Sequence, residues 1–185
     1  QQIKIETGRL AKQADGAVLV TSGNNSVLVT AVSSKQAKPD QGFFPLSVEY
    51  IEKFYAAGKI PGGYFKREAK PSNDSVLSAR MIDRPIRPLF PEGYLNDTQV
   101  VATILSVDGA FPLDVLASLG ASAALHISDI PFAGPTASCQ VGRIDGQFIA
   151  NPTLEQKAKS DMDIIVSGTK NGLLMVEGEA QFITE

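Results

Sequence analysis

The sequence is short of the residues that build metal centres and cross-links. Among 185 residues there is one cysteine, one histidine and no tryptophan. A lone Cys139 excludes an internal disulfide, which suits a reducing compartment. One cysteine and one histidine also exclude the usual zinc-ligand sets. Long apolar runs are missing too. The longest, such as "GAVLV" and "MDIIV", have strand length, far below the ~20 residues of a membrane-crossing helix. No cationic, apolar signal segment opens the chain. It begins with Gln1 rather than Met, so the expectation is a piece of a longer protein, located in the cytoplasm with no membrane partner.

What is present is ordinary for a globular domain: 43% hydrophobic and 20% charged residues, enough to bury a core. The net charge of −3 argues mildly against nucleic acid, whose ligands normally leave a basic footprint. The average conceals an uneven distribution. From Lys59 to Arg87 the basic residues are Lys59, Lys66, Arg67, Lys70, Arg80, Arg84 and Arg87, against Glu68, Asp74 and Asp83. Any anion-binding function belongs in that segment.

Local patterns predict an α+β domain without repeats or linkers. "GAVLVTSGNNSVLVTAVS" reads as a hairpin around Gly23-Asn24-Asn25. "FFPLSVEYIEKF" reads as a strand with Leu46, Val48, Tyr50 and Phe54 on its buried side. Ser72 offers an N-cap, with Asp74 in the first turn. The helix that follows carries Val76, Leu77, Arg80, Met81 and Arg84, and Pro85 with Pro88 is expected to kink or end it near Asp83. A strand follows from Thr98. "PLDVLASLGASAALHIS" predicts a helix whose Gly and Ala content permits close packing on a sheet. Two further hairpins turn at Asp145-Gly146 and at Lys170-Asn171-Gly172, with a short helix in "TLEQKAKS" between them.

Several longer stretches are more specific: "FFPLSVEYIEKFYAAGKIPGGYFKREAKPS", "RMIDRPIRPLFPEGY", "LGASAALHISDIPFAGP", "VGRIDGQFIANPTLEQ" and "DMDIIVSGT" with "LLMVEGEA". In this order they resemble the first RNase PH-like domain of the bacterial polynucleotide phosphorylase family, over essentially the whole chain. The resemblance implies the two-layer RNase PH-like fold, related to ribosomal protein S5 domain 2, with mixed sheets and packed helices. It implies one such domain over residues 1–185, including a left-handed βαβ crossover expected through residues 112–127. It further implies a parent with a second RNase PH-like domain, a helical linker and KH and S1 domains, assembled as a homotrimeric ring. Such parents degrade single-stranded RNA from the 3′ end, with inorganic phosphate as co-substrate and Mg2+ or Mn2+ as cofactor. A stand-alone RNA-binding or scaffold domain of S5-like fold, without enzymatic activity, is the alternative.

The resemblance also assigns residues. Tyr64, Phe65, Lys66 and Arg67 match a channel loop that grips RNA. Rings that stack on bases beside cations on the backbone hold single strands without sequence choice. As a pattern alone, the same residues also fit a strand end with solvated cations. Arg84 matches an arginine that contacts phosphate, and Arg80, Arg84 and Arg87 recur at i, i+4, i+7. They are expected to serve as structural pairs or RNA-backbone contacts rather than as an orthophosphate site. The family's active second domain supplies two aspartates and a basic residue near the strand matching "DMDIIVSGT". Here Asp161 and Asp163 remain, while the upstream acidic cluster and a serine-rich turn are absent. No catalytic residue and no metal ligand are therefore expected in this domain. His126 and Cys139 are expected to be packed side chains.

Overall fold

The computed structural model describes residues 2–62, 68 and 70–181. Five strands form the first sheet: β1 (Ile3–Thr7), β2 (Gly16–Ser22), β3 (Asn25–Ser33), β4 (Leu46–Ile51) and β5 (Thr98–Ser106). Their spatial order is β1-β2-β3-β5-β4. All neighbours are antiparallel except β4 and β5, which run parallel. A parallel pair needs a crossover, and α1 (Asn73–Ile86) provides it. The second sheet has the order β7-β6-β8-β9 and is antiparallel throughout. Its strands are β6 (Ala137–Ile144), β7 (Gln147–Ala150), β8 (Met162–Thr169) and β9 (Gly172–Ala180). The helix α2 (Asp114–Ile127) leads from the first sheet to the second, and the short α3 (Leu154–Lys157) sits between β7 and β8.

The structure corrects three sequence expectations. The parallel crossover runs through α1, whereas residues 112–127 connect the two sheets. No local pattern says which strands pair, so the wrong helix was assigned to the crossover. The first helix also does not stop at Asp83; it continues through Pro85 to Ile86 and passes into a 3-10 turn at Arg87–Leu89. A proline in a last turn forfeits one backbone bond, and burial of Ile82, Pro85 and Ile86 offsets it. Phe54 lies beyond β4, in a 3-10 turn, and is exposed.

The core lies between the first sheet and α2. Val18, Val20, Val27, Val29, Val100 and Ala102 project from one sheet face and are fully or almost fully buried. The helix meets them with Ala117, Ala121 and Ala124, all fully buried. Its approach is close enough to require glycine. A Cβ on Gly120 would lie 2.5 Å from Val29 Cγ2, and one on Gly16 would lie 2.0 Å from the Ala124 carbonyl oxygen. The Gly and Ala content read from the sequence thus has its use here. The side of α2 turned to the second sheet is polar: the Ser118 hydroxyl bonds that of Ser138 at 2.7 Å, and Ser138 bonds Ser167 at 2.7 Å.

Candidate nucleic-acid interface

Tyr64, Phe65, Lys66 and Arg67 lie outside the described residues. The chain on either side shows how the loop is tied down. Glu68 accepts the backbone N–H of Phe54 at 2.8 Å and pairs with Lys53 at 3.3 Å. The N–H bond first, and Lys53 second, hold its carboxyl below the usual range. Three residues after Lys70, α1 begins. Its cap is a small network: Ser72 Oγ accepts from Ser75 N at 3.0 Å, and Ser75 Oγ donates to Glu52 at 2.8 Å.

Between these elements opens a cleft of about 900 Å³ that reaches α2 and α3. Its walls carry Glu49, Glu52, Glu68, Asp74 and Asp114 against Lys53, Lys59 and Lys70. Acids outnumber bases, so the cleft itself is no track for a polyanion. Asp114 is its deepest acid. Burial pushes its carboxyl above the usual value, Glu52 and Asp163 add to that, and a bond from Ser78 and the Lys157 charge oppose it. The phenol of Tyr50 is likewise raised, by burial first and then by Asp114 and Glu52.

The three arginines do not form one stripe. Arg87 starts the 3-10 turn and folds back on α1. It holds Asp83 through two bonds of 2.7 and 3.0 Å, donates to the Leu46 carbonyl at 3.0 Å, and lies 6.0 Å from the Phe44 ring centre. Arg84 pairs with Glu177 on β9 and so ties α1 to the second sheet. Arg80 is exposed and has no hydrogen-bond or ion-pair partner among the described residues. It lines a smaller groove of about 310 Å³ between α1 and the open edge of β4.

The two aspartates of "DMDIIVSGT" are both engaged. Arg143 clasps Asp161 with bonds of 2.7, 3.0 and 3.2 Å, which holds the Asp161 carboxyl below its usual value. Asp163 is bound on one oxygen by Lys157 at 2.7 Å and on the other by the Gln140 amide at 2.5 Å. Among the described residues no group of three or more His, Cys, Asp or Glu side chains is arranged to hold a metal ion. Each carboxylate already faces a cation of the chain itself, and the set does not fit a divalent metal. Sequence reasoning passed over Arg143, Lys157 and Glu177. The partners of the first two lie 18 and 6 residues away, and that of Glu177 lies 93 away, so no local spacing announces them.

Two minor expectations fail. His126 is exposed in the last turn of α2. Cys139 is half-buried, on the side of β6 away from α2. A helix terminus and an uncovered sheet face leave both side chains less enclosed than their apolar neighbourhood in sequence suggests.

Comparison with known proteins gives three findings. The profile described as "3' exoribonuclease family, domain 1" matches residues 1–131, and "3' exoribonuclease family, domain 2" matches residues 134–185. The polyribonucleotide nucleotidyltransferase of Bdellovibrio bacteriovorus is 76% identical over 185 residues, all of this chain and 26% of that protein. That of Citrifermentans bemidjiense is 58% identical over 183 residues, 99% of this chain and 26% of that protein. The chain therefore spans about a quarter of the length of these relatives. A solved structure described as the Archaeoglobus fulgidus exosome with RNA bound to the active site has a similar fold. The TM-score is 0.71 at 18% identity, over 100% of this chain and 80% of the other.

Proposed function

The chain belongs to the 3′ exoribonuclease family of RNase PH-like proteins, and from that membership we propose that residues 1–185 are the first RNase PH-like domain of a longer polyribonucleotide nucleotidyltransferase. The observation that carries this reading is 76% identity along the entire chain to a relative of that name. The reaction is 3′-to-5′ phosphorolysis of single-stranded RNA. An oxygen of inorganic phosphate bonds to the phosphorus of the last internucleotide linkage. The bond from that phosphorus to the 3′ oxygen of the penultimate nucleotide breaks, the 3′ oxygen takes up a proton, and a nucleoside diphosphate leaves.

This domain contributes assembly and RNA grip rather than chemistry. Bringing an anionic nucleophile to an anionic phosphodiester requires positive charge at the reacting phosphorus. Here Arg143 and Lys157 spend their charge on Asp161 and Asp163, leaving neither carboxylates for Mg2+ or Mn2+ nor cations for phosphate. The metal and the phosphate site belong to the second RNase PH-like domain of the parent, a homotrimer in the cytoplasm. Tyr64, Phe65, Lys66 and Arg67 hold the RNA strand, and Arg80 adds a backbone contact. Arg84 and Arg87 are structural.

The test uses the full-length protein with a homopolymeric RNA, phosphate and Mg2+. Nucleoside diphosphate release should depend on phosphate, and Asp163→Asn should leave its rate within about twofold, since an effect on the chemical step would be worth far more. Loss of turnover in a variant whose melting temperature is kept would place catalysis in this domain.

A further inference from the structure

The second sheet wears its polarity inside out. Directly paired residues of neighbouring strands share a face. The rows Ser138–Ser167–Met175 and Gln140–Ile165–Glu177 therefore lie on one side. That side is turned to the chain's own helices, because Ser118 of α2 bonds Ser138 and Arg84 of α1 pairs with Glu177. It carries two serines, a glutamine, Asp163 and Glu177. The opposite side carries the rows Cys139–Val166–Val176 and Val141–Ile164, flanked by Phe148 on β7 and Leu174 on β9. No helix covers it. Phe148 is 69% exposed and Val176 60%.

The first sheet provides the contrast. Its helix side is built of buried valines, and its other side shows Thr21, Ser26, Thr30, Gln99 and Thr103. That is the ordinary arrangement of an antiparallel sheet with one wet face. In the second sheet the uncovered side has the composition of a buried one. An apolar patch of this extent marks an interface.

We infer that the outer face of the second sheet is permanently covered by another part of the same polypeptide, beyond the residues present here. The inference rests on the reading that this chain is one piece of a longer protein. Two observations select that occupant. The face holds no unpaired charge, since Arg143 at its β6–β7 end is closed onto Asp161. A nucleic acid or a charge-steered transient partner has nothing to recognise there, whereas apolar, charge-poor contacts are those of permanent association. The relatives also carry about three quarters of their length outside the matched region, so ample chain is at hand.

The experiment places a benzophenone-bearing phenylalanine at Val176 in the full-length protein, followed by irradiation and peptide mapping. Cross-links to positions beyond 185 within one polypeptide, unchanged on dilution, are expected. Cross-links to a second copy, seen as a doubled mass after denaturation, would overturn the inference, as would no protein cross-link at all. Hydroxyl-radical oxidation of Phe148 in the unsubstituted protein gives a second reading. A ring left 69% exposed would oxidise nearly as fast as in urea, and that result would also overturn it. A covered ring should be slowed by about fivefold or more. Nucleoside diphosphate release, assayed on the same samples, reports separately on the proposed function. Activity without coverage removes this inference alone, and coverage without activity removes only the functional reading.

Discussion

Arginines that look equivalent in sequence differ in what their guanidinium groups touch. Arg87 has both ends of its fork on Asp83, a third bond to the Leu46 carbonyl and a ring nearby. An exposed i,i+4 pair alone contributes about 0.3–0.5 kcal/mol, and the carbonyl bond brings the sum for Arg87→Ala to roughly 1 kcal/mol. Arg80→Ala should leave melting unchanged and lower the salt dependence of RNA binding by a slope of about 0.7. Equal effects of the two variants on melting would contradict the assignment. Asp114 supports a prediction in pH. Its carboxyl is raised above 3.8 by burial, so in the window above 3.8 the folded state binds more protons than the unfolded one. Stability should then fall as pH rises through that window. Asp114→Asn removes this fall, so its melting temperature should gain on the native protein between about pH 4 and 7. A constant gap across that range would show that Asp114 titrates normally. Asp161 and Glu68, held low by Arg143 and by the Phe54 N–H, act in the opposite sense, losing their contribution as pH falls through the acid range.

At the scale of elements, α2 is the part that holds the architecture together. One side rests on β2 and β3 and another carries the serine bridge to β6. Gly120 sits in the first of these contacts. In an exposed helix, Gly→Ala would be worth about 1 kcal/mol in favour of alanine. Here the new methyl would meet Val29 Cγ2 at 2.5 Å and Val20 Cγ2 at 3.1 Å. Valine is stiff about χ1, so the neighbours have little room to yield, and overpacking costs about 1–3 kcal/mol. Gly120→Ala should therefore lower the melting temperature, and a rise would mean that α2 rides higher on the sheet than described. The α1 helix illustrates the complementary case, in which buried Ile82 and Ile86 carry a proline through the last turn.

For the whole molecule, the distribution of charge decides the division of labour. The 900 Å³ cleft is bordered by more acids than bases, so the RNA grip rests on the segment from 64 to 67 and on Arg80. Replacing Lys66 and Arg67 together by alanine in the full-length protein removes two phosphate contacts. The slope of log affinity against log salt should flatten by about 1.4. Phe65→Ala should cost on the order of 1–3 kcal/mol of RNA binding if a base stacks on the ring. Melting temperature should hold in both. A large loss of melting temperature with RNA affinity preserved would make this segment a structural turn.

The sequence by itself determined the secondary elements that depend on local chemistry. The hairpins at Gly23, Gly146 and Gly172 follow from residues that tolerate positive φ, and the start of α1 follows from the Ser72 cap. It determined the family as well, because the matching stretches run through the whole chain. The helix side of the first sheet was legible in the alternation of "GAVLV", since that face is dry and its period is two. Only the tertiary structure decided the rest. The parallel pairing of β4 with β5 joins segments about fifty residues apart, beyond the reach of any local pattern. The closure of Asp161 by Arg143 and of Asp163 by Lys157 depends on how β6, α3 and β8 come together. The apolar outer face of the second sheet arises when three strands align their alternation, although each of them alone reads as an ordinary amphipathic strand whose inside is undetermined.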